Sequence, residues 1–262
     1  MSTGTMLSEK QGAIARMTFN NPERHNAVSL EMWEAVIGIA EDFAADADVR
    51  VVVVTGAGER AFVSGADISR FEDERAGKDA VAHYNATTAR AADALAAIAK
   101  PTIAMIDGYC LGGGMSVAFC CDLRVCSDRS SFGIPAAKLG LGYGFAGVKR
   151  LCDVVGPAFA KEIFFTARRF DAVEALAMGL VNRVFGSDAL EAAVAEISES
   201  IAENAPLTVA SIKRIVAEIA EDPDDRDLAA CERLVEACFE SADYVEGRRA
   251  FMEKRKPVFT GS

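Results

Sequence analysis

Along the chain, apolar and polar positions switch repeatedly between a period of two and one of nearly four, and each switch marks an element. Residues 12–19, GAIARMTF, alternate well enough for a strand, and N-N-P at 20–22 stops it. Ser29 then stands where a helix cap belongs, because Leu30, Trp33, Val36, Ile37 and Ala40 recur at helical spacing and predict a helix through about Phe43. The run VRVVVVTG at 49–56 is β-branched on both faces, which predicts a strand covered on both sides, as in a parallel sheet. A glycine-containing loop, GAGERAFVSGAD, comes next. An alanine-rich stretch from about Lys78 to Lys100 predicts a helix ended by Pro101. Strand PTIAMIDG at 101–108 leads into LGGG and a short apolar helix, MSVAFCC. DLRVCSD, SFGIP and, after further helical stretches, GLVNRVF at 179–185 supply three more strands. The recurring order of strand, strand and helix predicts an α/β fold. The residues themselves repeat at no fixed period.

From about Ser187 the strand signals stop. Pro206 sits where a first-turn proline belongs, and DPDDRD at 222–227 is a polar break between helices. The chain therefore divides into a core, residues 1–200, and a C-terminal helical region, residues 201–262, suited to subunit contacts or to folding back as a lid.

Composition narrows what such a fold does. The 262 residues carry 28 Lys+Arg against 39 Asp+Glu, a net charge of −11, so the long-range field repels nucleic acid and anionic membrane surfaces. A small anionic ligand on a local basic cluster remains compatible, and such a cluster occurs at residues 248–256. No apolar run approaches the ~20 residues of a membrane-spanning helix. The first ten residues have neither a basic start nor an apolar stretch, so no secretory signal is expected. Seven cysteines (Cys110, Cys120, Cys121, Cys126, Cys152, Cys231, Cys238) form no CxxC pair and lie in apolar segments, which predicts buried reduced thiols and a cytoplasmic protein. With only His25 and His83 to assist them, no zinc site is expected. The acidic break lacks the glycine and distal glutamate of a calcium loop.

Candidate chemistry centres on two turns that follow predicted strands, AFVSGADI at 61–68 and DGYCLGGGMS at 107–116. A single glycine run is usually a tight turn. Three glycines entering a helix also let a ligand approach the backbone and leave helix-start N–H groups aimed outward. Neither turn fits G-x-x-x-x-G-K-[ST] or G-x-G-x-x-G, which disfavours a nucleotide-phosphate cradle. Asp67 is placed to cap a helix starting near Ile68 or to anchor its turn. Arg24 alone would be a solvated loop side chain. His83 and Tyr84, on the alanine-rich helix, fit surface or packing positions. Lys138 fits a solvated or salt-bridged one, and no Ser, His, Asp arrangement stands at recognisable spacing.

Taken in order, N-N-P-E-R-H-N-A-V at 20–28, V-R-V-V-V-V-T-G-A-G at 49–58, A-F-V-S-G-A-D-I at 61–68, G-Y-C-L-G-G-G at 108–114 and C-D-L-R-V at 121–125 form one constellation. F-T-A-R-R-F-D-A-V-E-A-L-A-M-G-L-V-N-R-V at 165–184 and F-M-E-K-R-K-P-V-F at 251–259 continue it. The whole resembles the crotonase superfamily, the enoyl-CoA hydratase and isomerase group, over nearly the entire chain. The resemblance implies a crotonase-like spiral of β-β-α turns that binds an acyl-CoA thioester, followed by helices that assemble subunits into a trimer or a dimer of trimers. It implies no cofactor beyond the coenzyme A of the substrate. The family's oxyanion hole falls on the backbone N–H groups of Ala66 and Gly113, which would stabilise a thioester enolate by several kcal/mol. It places Arg24, Phe251 and Lys254 toward coenzyme A, and Val28, Ser64, Asp67, Ile68, Leu111, Ser116, Pro135, Ala136 and Leu139 around the substrate.

The chain departs from the hydratase pattern at two places. Hydratases of the family carry one glutamate two residues after the glycine triplet and one after the proline of P-E-x-x-L-G; here these are Ser116 and Ala136. Losing two such groups should remove about 10²–10⁴-fold for each. An aspartate used by some dienoyl isomerases falls on Gly144. Tyr143 stands where decarboxylases of the methylmalonyl type carry a tyrosine, although those have histidine at the position of Ala66. The resemblance therefore implies an acyl-CoA enzyme that would carry the label enoyl-CoA hydratase. Decarboxylation, isomerisation or thioester hydrolysis through Tyr143 is the alternative. A catalytically weak acyl-CoA-binding or assembly protein is an alternative of another class.

Overall fold

The computed structural model describes residues 5–67, 70 and 77–262. Its strands form two sheets. The larger has the order β1-β2-β3-β5-β7-β10: β1 (Thr5–Gln11), β2 (Ile14–Asn20), β3 (Val51–Gly56), β5 (Thr102–Ile106), β7 (Leu123–Ser127) and β10 (Arg183–Phe185). Only the β1–β2 hairpin in it is antiparallel. The smaller has the order β4-β6-β8-β9: β4 (Ala61–Val63), β6 (Tyr109–Leu111), β8 (Ser131–Gly133) and β9 (Phe170–Asp171). Successive turns of the chain thus lay one strand in each sheet before a helix, which makes the spiral.

The valine run of β3 is uniformly apolar because both its faces are covered. Val52 and Val54 point into the main core with Phe19, Phe62 and Ile106. Val51 and Val53 point the other way, against Leu190 and Val194. Strand β5 divides likewise, Ala104 and Ile106 to one side and Ile103 and Met105 to the other. The period-two geometry of a strand sorts alternate residues to opposite faces.

Among the described residues the helices of the core are α1 (Leu30–Ala45), α2 (Lys78–Ala96), α3 (Gly113–Phe119), α4 (Ala136–Leu139), α5 (Phe145–Thr166), α6 (Ala172–Ala177) and α7 (Leu190–Ala202). Ser29 caps α1 as its sequence position suggests, accepting from the N–H of Met32 at 3.3 Å. Helix α5 is broken at Gly156, whose φ of 75° precedes Pro157. Helix α2 stops five residues short of Pro101. Helices α8 (Pro206–Ala220), α9 (Leu228–Glu240) and α10 (Ala242–Glu253) follow, with Pro206 in the first turn of α8. The chain end folds back on them: Asp243 accepts from the N–H groups of Thr260 (2.7 Å) and Gly261 (2.9 Å), and Arg50, just before β3, donates to the carbonyl of Phe259 (2.6 Å).

Four of the elements carry no clear sequence signal. Strand β1 is a polar edge strand, and β4, β6 and β9 are only two or three residues long. The seven cysteines are free; Cys110, Cys120, Cys121 and Cys126 are buried, whereas Cys152, Cys231 and Cys238 are only half-buried, a correction to the expectation that all are interior. Burial pushes the Cys120 thiol up to about 11 and that of Cys126 to about 12, so these two sit as neutral packing groups. No described helix is long and apolar enough to cross a membrane.

Candidate active site

Three turns meet at one place: the Asn21–Val28 loop after β2, the Ser64–Asp67 segment after β4, and the Leu111–Gly113 turn into α3. Two asparagines shape the first. The N–H of Asn21 donates to Oδ1 of Asn26 (2.9 Å), and its Nδ2 donates to the carbonyl of Ala27 (3.0 Å). Nδ2 of Asn26 reaches the carbonyls of Ala57 (2.9 Å) and Ala61 (2.7 Å). His25 and Asn26 both take left-handed φ values, 53° and 55°, a region that these residue types enter more readily than most.

The loop then fastens to the segment after β4. The N–H of Ser64 donates to His25 (3.1 Å), that of Val28 to Gly65 (2.8 Å) and that of Asp67 to Val28 (2.9 Å). Buried Val28 thereby pairs in parallel with Ala66. In such a pairing Val28 bonds the residues on either side of Ala66, so the N–H of Ala66 leaves the strand on its other side.

The glycine turn lies against that segment. Gly65 has a φ of +112°, and a Cβ on it would meet the carbonyl oxygen of Leu111 at 3.4 Å and the nitrogen of Gly113 at 3.8 Å. A Cβ on Gly113 would stand 3.6 Å from the Cα of Gly65. The two turns thus lie within a methyl group's contact distance of each other, and glycine at 65 supplies the positive φ that this approach requires. Among the described residues neither the N–H of Ala66 nor that of Gly113 has an acceptor; the latter is one of the N–H groups that a helix start leaves unpaired. Neighbouring unpaired backbone donors are suited to holding a developing oxyanion.

Side chains frame these donors. Asp67, 6% exposed, accepts from Nη1 of Arg24 at 3.1 and 3.3 Å. The guanidinium offsets a buried negative charge that would otherwise oppose an anion at the next residue. Asp67 therefore anchors its turn through Arg24. Any cap on a helix at Ile68, and Ile68 itself, lie outside the described residues. Ser64 and Leu111 are half-buried beside the donors.

Ser116 sits one helical turn beyond Gly113 and so on the same face of α3. The phenol of Tyr143 lies close enough to feel the Ser116 hydroxyl, and its ring packs edge-on to Phe164 at 4.9 Å. Burial raises the Tyr143 phenol above its ordinary 10.0, and the Ser116 hydroxyl pulls the other way. Tyr143 keeps 36% of its surface exposed. Pro135 is half-buried and Ala136 buried at the start of α4, whereas Leu139 at its end is exposed.

Phe251 and Lys254 belong to a different element. They end α10, Phe251 83% exposed and Lys254 at a left-handed helix stop, with the amide of Lys254 bonded to the carbonyl of Phe251 (3.3 Å). Two side chains at the site have no signal in the sequence beyond helical spacing. The ring of Trp33 lies under Gly113, 3.5 Å from where a Cβ on that glycine would be, and its indole N–H donates to the hydroxyl of Tyr84 (3.3 Å). Among the described residues no three His, Cys, Asp or Glu side chains cluster as metal ligands.

Known proteins share this arrangement of chain. The profile of the family described as enoyl-CoA hydratase/isomerase matches residues 9–262. A short-chain-enoyl-CoA hydratase of Clostridium acetobutylicum is 36% identical over 261 residues, covering 98% of this chain and 97% of that protein. A crotonyl-CoA hydratase of Syntrophomonas wolfei is 34% identical, with 99% of each chain covered. The crystal structure of an enoyl-CoA hydratase/carnithine racemase from Magnetospirillum magneticum superposes with a TM-score of 0.92 at 38% identity, covering 100% of this chain and 97% of that one.

Proposed function

The chain belongs to the enoyl-CoA hydratase/isomerase family, and we propose that its reaction passes through a thioester enolate whose oxygen is held by the N–H groups of Ala66 and Gly113. The observation that carries this is the close approach of the Gly65 and Gly113 turns, with both donors unpaired among the described residues. Charge grows on a thioester oxygen when a bond at the neighbouring carbon breaks or forms, and two fixed donors favour that state over the ground state. Arg24, although paired with Asp67, and Lys254 at the end of α10 are the groups that this reading sets toward the phosphates of coenzyme A in an otherwise acidic protein. The substrate is an acyl-CoA, and no cofactor is needed beyond the coenzyme A it carries.

Ser116 and Ala136 occupy the positions that the resemblance assigns to the hydratase glutamates, and neither moves a proton as a carboxylate does. The expected result is that crotonyl-CoA hydration stays at background while acyl-CoA esters bind, measured by the loss of enoyl absorbance beside calorimetric titration. Hydration at the rate of an ordinary hydratase would sink the proposed departure. Failure of any ester to bind would sink the acyl-CoA reading itself.

A second reading is favoured by the nearness of Ser116 to Tyr143. A neutral phenol near Ser116, one helical turn from Gly113, would donate a proton rather than remove one, which suits a reaction that leaves an enolate to be protonated, such as decarboxylation. Isomerisation or thioester hydrolysis through Tyr143 is a weaker form of it. An ester that binds without any turnover would identify a binding or assembly protein instead.

We also propose that the chain works as a homotrimer or a dimer of trimers. Helices α8 to α10 leave Ile219, Leu228, Phe239 and Val245 each more than half exposed, and a groove of about 430 Å³ is lined in part by Ile215, Ile219, Leu228 and Val235. Apolar surface on this scale is characteristic of subunit contacts. Light scattering is expected to give three or six times the 27.8 kDa of one chain; a monomer at micromolar concentration would refute the assembly.

A further inference from the structure

We propose that Trp33 is a positioning residue for the carbonyl site, acting through Gly113 and held in turn by Tyr84. The inference rests on the reading of the Ala66 and Gly113 N–H groups as a thioester site and says how they are kept in place. Both are set by the first turns of one helix. Val28, directly before the Ser29 cap of α1, fastens the segment on either side of Ala66 through bonds of 2.8 and 2.9 Å. Trp33 follows in the next turn, with its N–H on the carbonyl of Ser29 (3.1 Å). Side chains on a helix lean toward its N-terminus, and here that places the indole beneath the glycine turn. A Cβ on Gly113 would lie at ordinary contact distance, 3.5 Å, from Cζ2 of Trp33. The ring therefore limits how far the glycine backbone can sink.

The indole is itself held from two sides. Phe19 packs edge-on at 6.5 Å, and the Nε1–H donates to the Tyr84 hydroxyl on α2. Trp33 is 5% and Tyr84 3% exposed, so the N–H of the ring depends on a protein partner for its orientation. Donors at such a site must stay within about 0.5 Å of the working geometry. One helix thus fixes Ala66 by its leading strand residue and Gly113 by its tryptophan.

Trp33 is the only tryptophan in the chain, so it also reports on the site. Fluorescence excited at the red edge of indole absorption is read while acetyl-CoA or free coenzyme A is added, with calorimetry as an independent measure of binding. Acetyl-CoA, which carries the carbonyl, is expected to change the emission, and free coenzyme A to leave it unchanged. Tyr84→Phe keeps the tryptophan and removes its acceptor; on the ester the enzyme turns over, kcat is expected to fall about tenfold with KM nearly constant, the mark of a group that matters in the transition state. Circular dichroism confirms that the variant is folded. Binding of acetyl-CoA by calorimetry with no change in emission overturns the positioning role and leaves the acyl-CoA reading intact, as does a folded Tyr84→Phe enzyme with unaltered kcat. No binding of either ligand overturns both.

Discussion

Replacing Gly114 by alanine is expected to lower Tm by about 6–12 °C and to remove most activity, whereas alanine at the adjacent Gly113 should leave the fold close to the parent. The two glycines differ in what a methyl group meets. On Gly114 it would stand 2.1 Å from the carbonyl oxygen of Val63 and 2.9 Å from its carbon, both backbone atoms of β4 that no rotamer change can move. On Gly113 the nearest atom is Cζ2 of Trp33 at 3.5 Å. Relieving the clash means separating α3 from β4, and overpacking of that kind costs about 3 kcal/mol or more, a large share of a typical domain's stability. The same separation pulls apart the turns that carry Ala66 and Gly113. Calorimetric melting of the two variants side by side is the measurement. Equal Tm values would show that the approach of α3 to β4 is not the tight contact described.

Tyr143→Phe is expected to depress kcat about 10²-fold or more while the coenzyme A end of the substrate still binds. The phenol's ordinary value is 10.0 and burial raises it, so the group stays protonated through neutral and mildly alkaline pH. Activity that depends on its proton should be level there and decline only as pH rises beyond that ordinary value. The variant should lack this alkaline limb. The sign carries over to stability. Because the folded value lies above the unfolded one, the contribution of Tyr143 to folding is complete below the unfolded pKa and is lost as pH rises through the folded one. Initial rates must therefore be taken with the folded fraction monitored. A folded Tyr143→Phe enzyme with parental rate would remove Tyr143 from the mechanism.

Much of the candidate site is legible in the order of residues because its proposed chemistry resides in the backbone. Glycine at 65 and at 112–114 announces turns that other residues resist, and the N–H groups that matter need no particular side chain. The helix beginning after Ser29 and the buried β3 are likewise readable, since a cap and a run of β-branched residues act over a few neighbours. The short strands of the smaller sheet are less legible. AFV at 61–63 has too few residues to show a period, and it becomes β4 only by pairing with β6, far along the chain. Polar β1 is a strand because the hairpin partner supplies its hydrogen bonds.

Residue order alone therefore determined the alternation of strands and helices, the two glycine turns, and the presence of Ser116 and Ala136 where the resemblance calls for glutamates. Each of these is a property of one position or its immediate neighbours. Tertiary structure alone decided that Arg24 meets Asp67, that Ser116 meets Tyr143, and that Trp33 lies under Gly113 with Tyr84 at its edge. Those pairs are separated by 43, 27, 80 and 51 positions. Their contacts follow from how a spiral of sheets stacks its turns, and helical spacing marks Trp33 and Tyr84 only as points on a helix. A long-range contact leaves no local signal because its energy depends on a neighbour that the chain reaches only once it has folded.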